Sequence, residues 1–134
     1  MIEVKNLSKQ FKAPTEEKGL FGPKKKAFWA VKDLDFQIKK GSVASILGPN
    51  GCGKTTTLRM IAGMLTPSRG TVFVDSVDVR KDKQTVKSKI GYMTNNTSLY
   101  DRLSVVETVK FFAELNQISS NIYMTRAEKL FDQI

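Results

Sequence analysis

The residues from Gly48 to Thr56 carry the clearest chemical signal in this sequence. Gly48-Pro49-Asn50-Gly51-Cys52-Gly53-Lys54-Thr55 fits the pattern G-x-x-x-x-G-K-[ST] at every fixed position. Glycines let a loop curl so that its N–H groups surround an anion. Lys54 would face β- and γ-phosphates, Thr55 would offer its hydroxyl to Mg²⁺, and Thr56 would add its backbone N–H. The pattern predicts a site for a nucleoside triphosphate.

Cys52 lies inside this loop and is the only cysteine of the chain. We interpret it as a small side chain that the loop tolerates, with a redox role as the alternative. One cysteine excludes an internal disulfide. The absence of histidine excludes a Cys/His zinc site, a Ser-His-Asp triad and a histidine base within this chain.

The elements around the loop follow from hydrophobic periodicity. Alternation over Ile2–Leu7 and Val31–Ile38 predicts two half-buried strands. Residues 13–28 contain proline, glycine and several charges, which predicts an exposed loop insertion. The apolar stretch Val43–Leu47 predicts a buried parallel strand that leads into the glycine-rich loop.

After the loop, a helix is predicted from about Lys54. Its apolar face would comprise Leu58, Ile61, Ala62 and Leu65, widened by Met60 and Met64. Asp75-Ser76, between two valine-rich stretches, predicts a hairpin turn. Ile90–Met93 predicts a short strand.

Two further helices are predicted towards the end of the sequence. Ser104 and Glu107 form a capping-box pattern before the helix that carries Val105 and Leu115. Asn121 begins the last predicted helix. The alternation of strands and helices predicts an α/β protein.

The chain is basic, with 22 Lys and Arg against 13 Asp and Glu in 134 residues, a net charge of +9. The charge has a local peak at Lys24-Lys25-Lys26. Such a balance suits phosphate ligands, nucleic acid or anionic lipid headgroups, or only a solvated surface. No apolar run approaches the ~20 residues of a membrane-spanning helix, and no secretory signal follows Met1.

Three stretches resemble the ATP-binding subunits of ATP-binding-cassette (ABC) transporters: Val4–Phe11, Ala30–Val79 and Ile90–Leu115. They cover nearly all of this chain and about the first half of the family's domain. The segment Thr97-Ser98-Leu99-Tyr100-Asp101-Arg102-Leu103-Ser104 is most similar to subunits of ABC-2 type exporters, including sodium-export ATPases. The resemblance implies a partial P-loop NTPase core, an antiparallel β-subdomain and the start of a helical subdomain.

The resemblance also implies further site residues. Phe11 matches the aromatic residue that stacks on adenine, with Phe28 and Trp29 as rivals. Asn95 falls where the family has a glutamine near Mg²⁺, and its shorter side chain still offers a carbonyl oxygen. Asp75 superficially resembles the carboxylate that ends a Walker B strand, but we favour the hairpin turn.

The implied function is ATP binding in the ATPase subunit of an ABC exporter. Its homodimer would hydrolyse ATP, with Lys54 as a catalytic residue, and drive a transmembrane permease subunit. The subunit would be cytoplasmic and peripheral at the inner face of the cell membrane, with no nucleic acid partner. Residues 1–134 would form the N-terminal half of the nucleotide-binding domain, without the signature motif or the Asp-Glu strand, and are expected not to hydrolyse ATP.

Three alternatives remain open. The chain could be a truncated nucleotide-binding module without catalysis. It could be a small-molecule P-loop kinase, which would need an arginine-rich lid. It could be an ABC ATPase of translation or DNA repair, which the basic charge permits.

Overall fold

The computed structural model describes residues 1–19, 22–93 and 102–133. These form two compact units, Met1–Tyr92 and Met93–Ile134. The first unit contains the β-sheet, and the second contains two helices. The element bounds are β1 Ile2–Gly19, β2 Gly22–Ile38, α1 Lys54–Ile61, β3 Arg69–Val74, β4 Val77–Asp78, α2 Lys83–Lys89, α3 Val105–Leu115 and α4 Ser120–Phe131.

The sheet of the first unit is antiparallel, with the strand order β2-β1-β3-β4. Both strands predicted from alternation are present, and both are much longer than predicted. The irregular loop predicted over 13–28 is wrong, because the described residues there belong to the paired strands β1 and β2. That the segment is an insertion stays a prediction. Cross-strand pairing offsets the local turn preference of the prolines, which strands tolerate near their ends and edges.

The core of the first unit lies between this sheet and helix α1. Leu7, Met60 and Val72 are fully buried there. On α1, Ile61 and Ala62 are buried as predicted, whereas Leu58 is 45% exposed and Met64 is exposed. The predicted face is therefore confirmed at Met60, Ile61 and Ala62 and wrong at Leu58 and Met64.

Two predicted strands are not formed. Val43–Leu47 contains no strand residues, and Val43 is 98% exposed and Leu47 89% exposed. Ile90–Met93 is likewise outside the strands. Among the described residues, neither segment has a paired neighbour in the sheet. A strand needs a neighbour for its backbone hydrogen bonds, so an apolar composition does not produce one by itself.

Several local predictions are confirmed. The turn at Asp75-Ser76 joins β3 to β4, with both residues at positive φ (44° and 67°). Ser104 and Glu107 form a complete capping box at the start of α3. The capping hydrogen bonds from Ser104 hold the pKa of the Glu107 carboxyl below its ordinary value.

The helices of the second unit, α3 and α4, contact each other and are joined by residues 116–119, with Ala113 and Ala127 buried. The helix predicted from Asn121 begins one residue earlier, at Ser120. Helix α2 was not predicted from the sequence; Asp82 caps it by accepting a hydrogen bond from the Thr85 N–H. No helix in the described ranges has the length and apolar character needed to span a bilayer.

Candidate nucleotide-binding site

The glycine-rich loop is shaped by contacts with strand β2 as well as by its own sequence. Gly51 and Gly53 have φ values of +83° and +96°, in the left-handed region that favours glycine. A Cβ atom added at Gly53 would collide with the Ala30 carbonyl oxygen and lie 2.9 Å from Val31 Cγ2. At Gly51 the same atom would meet nothing within 4 Å. Gly53 is thus required for the close approach of the loop to β2.

Helix α1 begins directly after the loop, as the motif requires. Its first backbone bond runs from the Thr57 N–H to the Gly53 carbonyl oxygen, at 2.8 Å. The N–H groups of Lys54, Thr55 and Thr56 therefore precede Thr57, the first donor of the helix, and have no acceptor within it. These groups and the positive end of the helix dipole suit a phosphate.

Lys54 places its charge at the beginning of the loop. Its Nζ donates hydrogen bonds to the carbonyl oxygens of Gly48 and Pro49, each at 2.7 Å. The ammonium group is also 3.9 Å from Cys52 Sγ. The structure thus brings together the full positive charge, the loop and the helix N-terminus that the sequence predicted as one site.

The three threonines of α1 have different environments. Thr55 is exposed, Thr56 is half-buried and Thr57 is buried, with 3% of its surface exposed. Thr55 therefore has an accessible hydroxyl, which fits its predicted role as a Mg²⁺ ligand. Thr57, which the sequence analysis does not name, anchors the helix in the core. Its position on the helix face that carries Met60, opposite Thr55, is the sequence feature that indicates this burial.

Cys52 fits its predicted role as a small residue in the loop. Its side chain is exposed, and a Cβ atom at Gly48 would lie only 2.6 Å from its sulfur. The Cys52 N–H donates to the Pro49 carbonyl oxygen across the turn that contains Asn50, at 3.4 Å. The absence of a side chain at Gly48 thus makes room for the thiol.

The three aromatic candidates for the adenine base are distributed between two faces of the β1–β2 pair. Phe11 and Phe28 are direct cross-strand partners, and their ring centroids are 6.0 Å apart. Trp29 follows Phe28 on β2 and hence lies on the opposite face, where the Arg69 guanidinium is 5.1 Å from its ring centroid. The Lys9 ammonium lies 5.3 Å from the centroid of Phe11.

The two remaining candidates have different outcomes. Asn95 lies outside the described residues, so its predicted role stays a prediction. Asp75 is confirmed as a turn residue. Its Oδ1 accepts a hydrogen bond from the N-terminal amino group of Met1 at 2.7 Å. That bond and the positive charge of the amino group lower the pKa of the Asp75 carboxyl.

The residues of the loop fit a triphosphate with Mg²⁺. The fit rests on the Lys54 ammonium at the loop, the N–H groups at the start of α1 and the accessible hydroxyl of Thr55. An anion at this position would meet positive charge and donors on adjoining residues, and no acidic residue occurs from Gly48 to Thr57.

Comparison with known proteins gives one consistent result. A family model described as "ABC transporter" matches residues 31–133. The chain is 43% identical over 111 residues to "ABC transporter ATP-binding protein NatA" of Bacillus subtilis, covering 82% of this chain and 45% of that protein. It is 33% identical over 113 residues to "Probable multidrug ABC transporter ATP-binding protein YbhF" of Escherichia coli, covering 84% of this chain and 17% of that protein.

Solved structures agree with these matches. "Dimeric structure of a post-hydrolysis state of the ATP-binding cassette MJ0796 bound to ADP and Pi" superposes with a TM-score of 0.72 at 26% identity, over 96% of this chain and 55% of that chain. A second dimeric structure of the same cassette has a TM-score of 0.73 at 27% identity. The chain therefore spans about half the length of the cassettes and less than half of the curated relatives.

Proposed function

This chain belongs to the ABC transporter family of ATP-binding proteins, and on that premise we propose that it binds ATP at Gly48–Thr56 as part of an ATPase that powers transport. The observation that carries the proposal is the position of Lys54, whose ammonium group is fixed at the start of the glycine-rich loop by two carbonyl oxygens. Lys54 is the first residue of α1, so its charge lies beside the N–H groups at the start of the helix.

Each residue of the site has a distinct task in this proposal. The backbone from Gly48 to Gly53 surrounds the phosphates, and Lys54 neutralises their charge. Thr55 and Asn95 would hold Mg²⁺ through their oxygen atoms. Phe11 would stack on the base, with Phe28 as its packing partner. Bound Mg-ATP supplies the phosphoanhydride bond whose hydrolysis provides the free energy for transport.

The wider function is inferred from the family. The relatives named above are ATP-binding proteins of ABC transporters, and the cassette of known structure is a dimer. We propose that the complete protein likewise acts as a homodimer on a transmembrane permease subunit, at the inner face of the membrane, in an exporter of the ABC-2 type. Residues 1–134 would be the N-terminal half of its nucleotide-binding domain.

Titration calorimetry with Mg-ATP tests the proposal. The chain should bind Mg-ATP, and Lys54→Ala should weaken binding by about 2–5 kcal/mol, because it removes a charge that faces the phosphates. The matched control is Lys87→Ala, which removes an exposed lysine of α2 and should leave the affinity unchanged. Equal affinities of the Lys54→Ala variant and the unaltered chain would contradict the proposed site, provided that circular dichroism shows both to be folded.

A further inference from the structure

Lys9 is a half-buried lysine whose ammonium group has two partners. Its Nζ donates a hydrogen bond to the Thr66 carbonyl oxygen at 2.8 Å, and it lies over the Phe11 ring, 5.3 Å from the centroid. Lys9 and Phe11 are two residues apart on β1, so their side chains leave the strand on the same face. A cation over an aromatic ring is attracted by the negative charge density of the ring face. Lys9 therefore restrains the Phe11 ring.

The chain segment that supplies the partner of Lys9, residues 66–68, is itself bound to β1. The Ser68 N–H donates to the Ser8 carbonyl oxygen at 2.9 Å, and the Ser68 Oγ accepts a hydrogen bond from the Gln10 N–H at 3.0 Å. Together with the bond from Lys9, three consecutive residues of β1 are thus held by this segment. The acceptor of the Lys9 ammonium is therefore fixed by neighbouring hydrogen bonds.

Lys5 offers a comparison within the same sheet. Its ammonium group lies over the Phe73 ring, 5.4 Å from the centroid, in the same kind of contact. Lys5 is also paired with Glu3 at 3.1 Å, and its side chain is 54% exposed. Phe73 belongs to β3 and is not a candidate for stacking on a base. The contact made by Lys9 differs because its ring is the predicted stacking residue.

We propose that Lys9 is a positioning residue for the adenine base, and that it acts by holding the Phe11 ring in the orientation that stacks on the base. The inference rests on the proposed function, in which Phe11 stacks on the base of ATP. Phe11 is half-buried, so part of its ring is accessible to a ligand. A side chain that is ordered before the ligand arrives loses no conformational freedom on binding, and the affinity is higher for that reason.

A purely structural role of Lys9 is the alternative. Its bond to the Thr66 carbonyl oxygen joins β1 to residues 66–68, and a loosened sheet would also lower the affinity for a ligand. Inorganic triphosphate distinguishes the two roles, because it has phosphates and no base. Loss of a positioning residue for the base lowers the affinity for Mg-ATP only, whereas a loosened fold affects both ligands.

Calorimetric titration of the chain with Mg-ATP and with inorganic triphosphate tests the proposal. Lys9→Met keeps the length of the side chain and removes its charge. It should lower the affinity for Mg-ATP about two- to fivefold and leave the affinity for triphosphate unchanged. Lys9→Arg should retain both affinities, because a guanidinium group also binds over an aromatic ring. The matched control Lys5→Met removes the equivalent contact at Phe73 and should change neither affinity, with circular dichroism showing that all variants are folded.

A double-mutant cycle with Phe11→Ala completes the test. If Lys9 acts through Phe11, Lys9→Met should have no further effect on the Mg-ATP affinity in the Phe11→Ala background. A loss of the same size in both backgrounds would overturn the proposal, as would equal losses for the two ligands or no loss for Mg-ATP. Failure of the proposed function looks different: Phe11→Ala or Lys54→Ala would then leave the Mg-ATP affinity unchanged, and the role of Lys9 would fall with it.

Discussion

The glycine-rich loop and the aromatic pair are the two ends of the proposed nucleotide site, and contacts of different range hold them. In the loop, the main contacts join residues that are close in sequence, such as Lys54 with Gly48 and Pro49. Phe11 and Phe28, in contrast, meet only because β1 and β2 pair in one particular register. The phosphate end thus depends mainly on local chain geometry, and the base end depends on sheet topology.

One contact joins the two ends. The carbonyl oxygen of Ala30 lies against Gly53. Ala30 belongs to β2 and follows Phe28 by two residues. Strand β2 therefore carries both Phe28, which pairs with Phe11, and Ala30, which contacts the loop. A substitution at this contact tests whether the loop depends on strand β2.

The largest effect is expected at Gly53. Gly53→Ala combines left-handed backbone strain with a collision at Ala30, and should lower the free energy of unfolding by about 3 kcal/mol. The control Gly51→Ala has similar strain but open space around the new methyl group, so it should cost only about 1–2 kcal/mol. Urea denaturation measures both. Equal losses would show that the loop does not depend on its contact with β2.

The next largest effect distinguishes binding of the adenine base from binding of the phosphates. Phe11→Ala should weaken Mg-ATP binding by about 1–3 kcal/mol through lost stacking, and leave the affinity for inorganic triphosphate unchanged. Trp29→Ala, on the opposite face, serves as the control and should change neither affinity. Calorimetric titration with both ligands measures these affinities. If Trp29→Ala weakens binding of Mg-ATP but not of inorganic triphosphate, Trp29 and not Phe11 stacks on the base.

Cys52 reports on the phosphate end without any substitution. It is the only cysteine and it is exposed, so maleimide labelling reports on the loop specifically. Mg-ATP at ten times its dissociation constant should slow labelling about tenfold, because only the free chain reacts. Adenosine, which lacks phosphates, should not slow the reaction. A labelling rate that is the same with and without Mg-ATP would place the phosphates away from Cys52.

The smallest effect concerns Asp75, which attaches the start of β1 to the β3–β4 turn. Its pKa is lowered in the folded chain by the N-terminal amino group, so its contribution to stability is present above the unfolded pKa and lost as the pH falls through the folded pKa. Asp75→Asn should therefore lower the melting temperature slightly at neutral pH, where the pair is an exposed one. Below the pKa of Asp75 the two melting curves should coincide; a difference that persists there would assign the effect to the turn conformation rather than to the charge.

The sequence by itself determined the features whose interactions join residues only a few positions apart. The glycine-rich loop with α1 starting at Lys54, the turn at Asp75-Ser76 and the capping box of Ser104 and Glu107 are all present as predicted. In each case the deciding interactions are backbone conformation and hydrogen bonds between neighbours, which residue type specifies directly. The family was recognisable for the same reason, since the motif residues are contiguous.

Only the tertiary structure decided the rest. Residues 13–28 had turn-forming composition, yet the described part pairs as strands because a neighbouring strand satisfies its backbone groups. Val43–Leu47 had strand composition, yet it is unpaired and exposed in the described structure. Strand formation and the burial of a helix face depend on the strands and helices that pack against them. A packing partner that is distant in sequence leaves no signal in the local hydrophobic pattern.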